Sequence, residues 1–118
     1  MTFQSSQPPV SPEFAELVAR RFAALSEPMR IRLVDALRTR GEASVQELAG
    51  ALDAGNANVS KHLGVLHAQR VVARRKEGTR VVYRILDPGV LELCDRICGA
   101  IRDELSELAA LAGAEGTR

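Results

Sequence analysis

Apolar residues recur at intervals of three and four along most of the chain, which is the spacing of amphipathic helices. A first helix is predicted to begin after Ser11, whose hydroxyl can cap it, with Pro12 in the first turn. A second helix is predicted from Pro28 to a stop signal at Gly41. Their apolar positions are Phe14, Leu17, Val18, Leu25, Met29, Leu33, Ala36 and Leu37. We interpret both helices as scaffold.

A close pair of shorter helices is predicted next. Ser44 and Glu47 have the spacing of a capping box, in which each side chain accepts a hydrogen bond from the other residue's amide, so a helix is predicted over 45–52. After a turn at 53–55, Asn56 is predicted to cap a fourth helix. Its inward face carries Val59, Leu63 and Leu66, and its polar face carries Asn58, Ser60, Lys61, His62 and His67. This pattern indicates a helix-turn-helix unit.

Two β-branched runs, 71–76 and 80–85, flank a turn containing Gly78 and predict a hairpin. A last helix is predicted from Asp87-Pro88. Its apolar stripe of more than five turns is Val90, Cys94, Ile97, Ile101, Leu105, Leu108 and Ala112. We therefore predict a mostly α fold with a small β-hairpin, a winged helix-turn-helix over 11–112 that dimerises through its terminal helices. A disordered tail is expected over 1–10 and a frayed end over 113–118.

Length and composition exclude several classes of protein. The 118 residues, 46% hydrophobic, suffice for one core but not for a further catalytic or ligand domain. No apolar run approaches the roughly 20 residues of a membrane span, and residues 1–9 lack the features of a secretory signal. We expect a cytoplasmic protein without a membrane partner. It is not expected to be an enzyme, because Cys94 and Cys98 lack the spacing of a thioredoxin-like motif.

The positive charge is concentrated in one segment. The net charge is +1, yet residues 56–84 carry seven basic side chains against Glu77 alone. Amide and hydroxyl groups on the fourth helix suit base edges, and hairpin cations suit phosphates, so we predict binding to double-stranded DNA. The alternative is a winged domain that docks onto protein without specific DNA binding. The candidate DNA-binding residues are Gln46, Asn56, Asn58, Ser60, Lys61, His62, His67, Arg74, Arg75, Lys76 and Arg80.

Four segments carry a family resemblance: 22–34 (FAALSEPMRIRLV), 44–49 (SVQELA), 58–66 (NVSKHLGVL) and 77–85 (EGTRVVYRI). With them the chain resembles the ArsR/SmtB family of bacterial metalloregulators over roughly 14–108. The resemblance implies a homodimeric repressor joined through its first and last helices. It also implies a palindromic operator and release from DNA when an inducer binds.

The metal sites implied by the resemblance are incomplete in this sequence. Where one family site has Cys-x-Cys, the third helix reads Glu47-Leu-Ala-Gly. At the other site Asp87 and Asp103 match ligand positions, but Gly89 replaces a histidine and Ala100 stands at a further ligand position. Zinc prefers about four ligands that include nitrogen or sulfur, so no zinc site and no required cofactor are expected.

Cys94 and Cys98 lie four residues apart and hence on one side of the last helix. One interpretation is structural, because cysteine packs as a small hydrophobe. The other is a sensor in which up to four thiols meet across a dimer and bind a soft metal ion, or react with redox or sulfur species. The sequence leaves both open.

Overall fold

Side-chain caps set where the first two helices begin. The computed structural model describes residues 7–116, with side chains described over 7–113. Helix α1, Pro12–Leu25, starts where the Ser11 hydroxyl accepts a hydrogen bond from the Phe14 amide at 3.1 Å. Helix α2, Pro28–Arg40, starts where the Glu27 carboxylate accepts from the Arg30 amide at 3.1 Å. It ends at Gly41, whose φ of 84° suits glycine, so these predicted boundaries are confirmed.

The helix-turn-helix pair consists of α3, Val45–Leu52, and α4, Asn56–Ala68. The predicted capping box of α3 is present, with Ser44 and Glu47 exchanging hydrogen bonds of 3.0 and 3.2 Å. The predicted Asn56 cap of α4 is wrong. Gly55 occupies the extended cap position with φ −72° and ψ 143°, no side chain caps the helix, and Asn56 is already its first residue.

The hairpin is part of a larger sheet. Strands β1 (Glu42–Ser44), β2 (Val72–Glu77) and β3 (Arg80–Ile85) pair antiparallel in the order β1-β3-β2. β2 and β3 form the wing around Gly78, whose φ is 65°. β1 was not predicted because three residues are too few to show alternation, and its pairing partner lies about 40 residues away.

The core lies where α2, α3 and α4 meet the sheet. The apolar residues predicted to face inward on α4 are fully buried, as is Leu33 of α2. Val82 and Tyr83 of β3 are buried as well, on opposite faces of the sheet. The largest fully buried side chains are Leu33, Leu37, Leu48, Leu63, Leu66, Val34, Val59, Val71, Val72 and Val82.

The chain divides into two units, one ending at Ile85 and one beginning at Leu86. The second contains α5, Pro88–Gly116, so the helix includes residues 113–116 of the segment expected to fray. Residues 1–6 of the predicted tail and 117–118 of the predicted frayed end lie outside the described residues. Among the helices of the described residues, none combines the length and the hydrophobicity that a membrane-spanning segment requires.

Both α1 and α5 expose apolar side chains. On α1 these are Phe14, Leu17 and Phe22, each more than half exposed. The predicted stripe of α5 is likewise open to solvent from its third turn onward. Its exposed large members are Ile97, Ile101, Leu105 and Leu108, and Leu111, which was not predicted as part of the stripe, is exposed as well.

Candidate nucleic-acid interface

The outward face of α4 presents four of the predicted residues to solvent. Asn56, Asn58, Ser60 and Lys61 are all exposed, and His67 is half-buried near the end of the helix. The opposite ridge of Val59, Leu63 and Leu66 fixes this orientation by packing into the core. A rigid helix therefore carries short amide, hydroxyl and ammonium groups on an accessible surface, as base-edge recognition requires.

His62 was predicted to belong to this outward face, and the structure corrects that prediction. The residue is only 8% exposed, and its Nδ1 atom lies 3.0 Å from Nη1 of Arg30. A polar side chain can be buried in this way because Arg30 satisfies it. The sequence pattern of α4 could not reveal this, since the partner lies 32 residues away on α2.

The wing contains a cation that is already paired within the chain. Arg75 of β2 donates to both carboxylate oxygens of Glu42 on β1, at 2.6 and 2.9 Å, and to Glu77 at 2.7 Å. These hydrogen bonds hold the pKa of the Glu42 carboxyl below its usual range and raise the pKa of Arg75. Arg75 therefore bridges β1 and β2 at the outer edges of the sheet.

A second ion pair links the wing to the helix-turn-helix. Arg80 at the start of β3 donates to Oε1 of Glu47 at 3.0 Å. Glu47 also accepts from the Ser44 amide, and this backbone hydrogen bond is the main cause that lowers the pKa of the Glu47 carboxyl. The capping box of α3 and the tip of the wing thus share one carboxylate.

An open cleft lies between the starts of α3 and α4 and the wing. It brings together three residues that were predicted separately as DNA contacts, namely Gln46, Asn56 and Arg80. Lys61 on α4 and Arg74 and Lys76 on the wing do not line the cleft but are exposed, and none of these three has an ion pair among the residues whose side chains are described. The cleft is lined by Ser44, Val45, Gln46, Asn56, Thr79, Arg80 and Val81.

The predicted sensor residues occupy a different unit. Cys94 and Cys98 are both half-buried on α5. Within the described residues, no three His, Cys, Asp or Glu side chains cluster closely enough to hold a metal ion. One chain therefore contributes at most this pair of thiols to a soft-metal site.

Sequence reasoning missed Arg30, Glu27 and Glu42. Arg30 and Glu42 act through partners in other elements, and Glu27 faces His62 of α4 in addition to capping α2, so no local spacing marks these long-range contacts. The only available signal was indirect, since Glu27 and Arg30 fall within one of the segments that carry the family resemblance.

Comparison with known proteins agrees with this architecture. A family model described as a helix-turn-helix domain matches residues 25–75. A transcriptional repressor SmtB homolog of Synechocystis is 36% identical over 89 residues, which cover 75% of this chain and 67% of that protein.

Two solved structures share the fold. The AntR antimony-specific transcriptional repressor superposes with a TM-score of 0.75 at 28% identity, covering 86% of this chain and 91% of that one. The homodimeric winged helix-turn-helix domain of a Mycobacterium bovis protein, described as a possible ArsR-family regulator, gives 0.74 at 28% identity, covering 88% and 95%.

Proposed function

Because the chain belongs to the ArsR/SmtB family of winged helix-turn-helix transcriptional regulators, we propose that it is a homodimeric repressor that binds a palindromic operator in the cytoplasm. Members of this family bind DNA and are not enzymes. α4 is the recognition helix in this proposal, and the wing of β2 and β3 contacts the flanking phosphates. Two-fold symmetry places the two recognition helices about one DNA turn, roughly 34 Å, apart.

The observation that carries the proposal is the exposed polar face of α4 beside the cleft and the cationic wing. Asn58 and Ser60 offer groups that can bond to base edges, while Lys61 suits a phosphate or a guanine. Lys76 and Arg74 add positive charge at the wing. A helix that fits the major groove, next to cations that fit the backbone, satisfies both parts of DNA recognition.

The exposed apolar side chains support the homodimer. Phe14 and Leu17 of α1 are 54% and 57% exposed, and Leu108 of α5 is 62% exposed. Exposing so many large apolar groups is unfavourable unless a partner covers them. A second copy of the chain is the partner that we propose, in line with the homodimeric relative.

We further propose that Cys94 and Cys98 bind a soft ion, either cuprous copper or an arsenic(III) or antimony(III) species supplied as arsenite or antimonite, whose hydroxide ligands leave as water with the thiol protons, and that this binding releases DNA. Thiolate sulfur suits soft metal ions, and the AntR structure is that of an antimony-specific repressor. Since one chain supplies two thiols, a complete thiolate site takes ligands from both α5 helices of the dimer. Zinc is not proposed, because the nitrogen ligands of such a site are missing.

The test is a fluorescence anisotropy titration with DNA from upstream of the protein's own gene, at several salt concentrations. We expect nanomolar to tens-of-nanomolar affinity for a palindrome, with a steep loss at higher salt. Asn58→Ala should weaken the preference for the palindrome over scrambled DNA. Gln69→Ala, which changes an amide just beyond the end of α4, is the matched control and should leave that preference unchanged.

Adding antimonite, arsenite or peroxide tests the inducer. Release by antimonite or arsenite in the wild type but not in a Cys94→Ser, Cys98→Ser double variant supports the thiol proposal. Specific binding that no additive changes contradicts it and leaves the cysteines as packing residues. A protein that prefers no DNA sequence contradicts the repressor proposal and favours a protein-docking role for the winged domain.

A further inference from the structure

Arg30 joins three helices through one side chain. Its Nε donates to the Ala24 carbonyl at 2.6 Å and its Nη2 to the Ala23 carbonyl at 3.4 Å. Both carbonyls lie in the last turn of α1, where the Ala23 oxygen also accepts from the Ser26 amide at 3.0 Å, whereas the residue four positions after Ala24 is Pro28, which has no amide hydrogen. The third nitrogen, Nη1, lies 3.0 Å from Nδ1 of His62 on α4. Arg30 of α2 thus connects the end of α1 to the recognition helix.

The chemistry of the two side chains decides which of them donates the hydrogen bond between Arg30 and His62. A guanidinium group only donates hydrogen bonds, so Nδ1 must be the acceptor and the ring hydrogen must be on Nε2. Two charged groups face the buried ring, Arg30 and the Glu27 carboxylate, whose Oε2 lies 3.9 Å from Nδ1. The buried side chains of the other elements packed on α4 are apolar: Ala24 and Leu25 of α1, Leu48 and Ala49 of α3, and Val72 of β2.

This contact constrains α4 in a way that the apolar ridge does not. Val59, Leu63 and Leu66 bury one face of the helix, but hydrophobic burial is non-directional and tolerates small rotations about the helix axis. His62 lies beside that ridge, at the edge of the buried face. A hydrogen bond of defined length and angle at this edge resists rotation of the helix. The outward face with Lys61 turns with any such rotation.

We propose that Arg30 and His62 are positioning residues for DNA recognition, which fix the orientation of α4 without contacting DNA themselves. The inference rests on the proposed function, since it assigns α4 to the major groove. It also connects α4 to α1, because the guanidinium of Arg30 that contacts His62 is hydrogen-bonded to the last turn of α1. The helix proposed to contact the second copy is thereby tied to the helix proposed to read the operator.

Substitution of His62 separates positioning from packing. His62→Leu keeps an apolar volume but removes the acceptor, and we expect operator affinity to fall at least about tenfold because Arg30 loses its partner. His62→Asn places a carbonyl oxygen near the position of Nδ1, and it should restore affinity to within about threefold of the wild type. Unfolding in urea is measured in parallel to show that each variant is folded.

The salt dependence of binding shows whether His62 touches DNA. Because the proposal gives His62 no phosphate contact, His62→Leu should leave the slope of log affinity against log salt unchanged. Lys61→Gln on the exposed face is the matched control and should reduce that slope by about 2, because the dimer loses one phosphate contact in each of its two copies. A reduced slope in His62→Leu, or a His62→Asn variant as weak as His62→Leu, overturns the positioning role.

A third measurement does not depend on DNA or on the folding of a His62 variant. The ¹⁵N spectrum of the wild-type imidazole should show an unprotonated Nδ1, and Arg30→Lys, which has no planar fork to bridge α1 and α4, should shift that resonance. A hydrogen on Nδ1 in the wild type at neutral pH overturns the proposal. If wild-type protein shows this signature yet prefers no DNA sequence, the proposed repressor function has failed and the contact is structural only.

Discussion

At the scale of single residues, Arg70 adopts a conformation that favours glycine. It follows the end of α4 with a φ of 60°. Its amide donates to the His67 carbonyl at 3.0 Å, and the Val71 amide donates to the Leu66 carbonyl at 3.0 Å. This is the double hydrogen bond with which many helices end at a left-handed glycine. A side chain in that position costs on the order of 1 kcal/mol.

Arg70→Gly is therefore expected to raise the free energy of unfolding by about 0.5–1 kcal/mol, since relief of the strained φ outweighs the extra chain entropy of glycine. Urea unfolding of the two proteins measures the change. The matched control is Arg84→Gly, the same substitution at an exposed residue of β3, where glycine should lower stability by a similar amount. Equal losses in both variants would show that Arg70 is not strained.

Acid stability should depend on Glu42 and Glu47. Hydrogen bonds from Arg75 and from the Ser44 amide lower the pKa of these carboxyls below the usual value near 4.5. A group whose pKa is lower when folded stabilises the fold above its unfolded pKa and loses that contribution as the pH falls through the folded value. Stability should thus decline below about pH 4.5.

Urea unfolding at pH 7, 4.5 and 3 measures this decline. Glu42→Gln with Glu47→Gln removes both titrating groups, so the decline should become shallower. Arg75→Gln leaves both carboxyls in place, but the pKa of Glu42 then returns towards its usual value. The decline in stability with falling pH should therefore be smaller than in the wild type. An unchanged decline in all three variants would mean that other groups set the acid stability.

At the scale of helices and strands, local chemistry made the boundaries predictable. The Ser11 cap and the capping box of α3 depend on residues three apart, so the sequence alone identified them. Features that depend on distant partners could not be predicted in this way. Strand β1 exists only by pairing with β3, and the inward position of His62 depends on Arg30 of another helix.

On the wing, too, the sequence could not show which cations are already paired with distant carboxylates. The sequence predicted Arg75 and Lys76 together as phosphate contacts, but Arg75 already bonds two carboxylates, whereas Lys76 has no ion pair among the described side chains. We expect Lys76→Gln to reduce the salt slope of operator binding by about 2, one phosphate contact being lost in each copy of the dimer. Arg75→Gln should change it by much less, because it removes a charge that Glu42 and Glu77 already neutralise.

Anisotropy titrations from about 50 to about 300 mM salt, over which the Debye length shortens from about 14 to about 6 Å, distinguish the two variants. Glu42→Gln provides a check in the opposite direction, because it frees part of the Arg75 charge and should strengthen binding at low salt. If Arg75→Gln and Lys76→Gln reduce the slope equally, Arg75 leaves its carboxylates when DNA binds.

At the scale of the whole molecule, the long exposed stripe of α5 indicates how copies of the chain associate. Ile97, Ile101 and Leu108 recur on one side of the helix and are 50%, 49% and 62% exposed. Leu108→Glu should therefore dissociate the proposed dimer while the single chain stays folded, because Leu108 is not part of its core. Ser106→Glu adds the same charge on the other side of α5 and is the matched control. Sedimentation velocity reports the oligomeric state.

Dimer dissociation has a definite consequence for DNA recognition. Two recognition helices held on one body bind a palindrome with a high effective concentration of the second helix, so wild type should prefer a full palindrome over a single half-site by at least about a hundredfold. Leu108→Glu should lose most of that preference and retain the half-site affinity, since α4 and the wing belong to the other unit. A variant that is monomeric yet still prefers the palindrome would show that the dimer forms on DNA through another surface, and α1 with its exposed Phe14 and Leu17 would be the next helix to test.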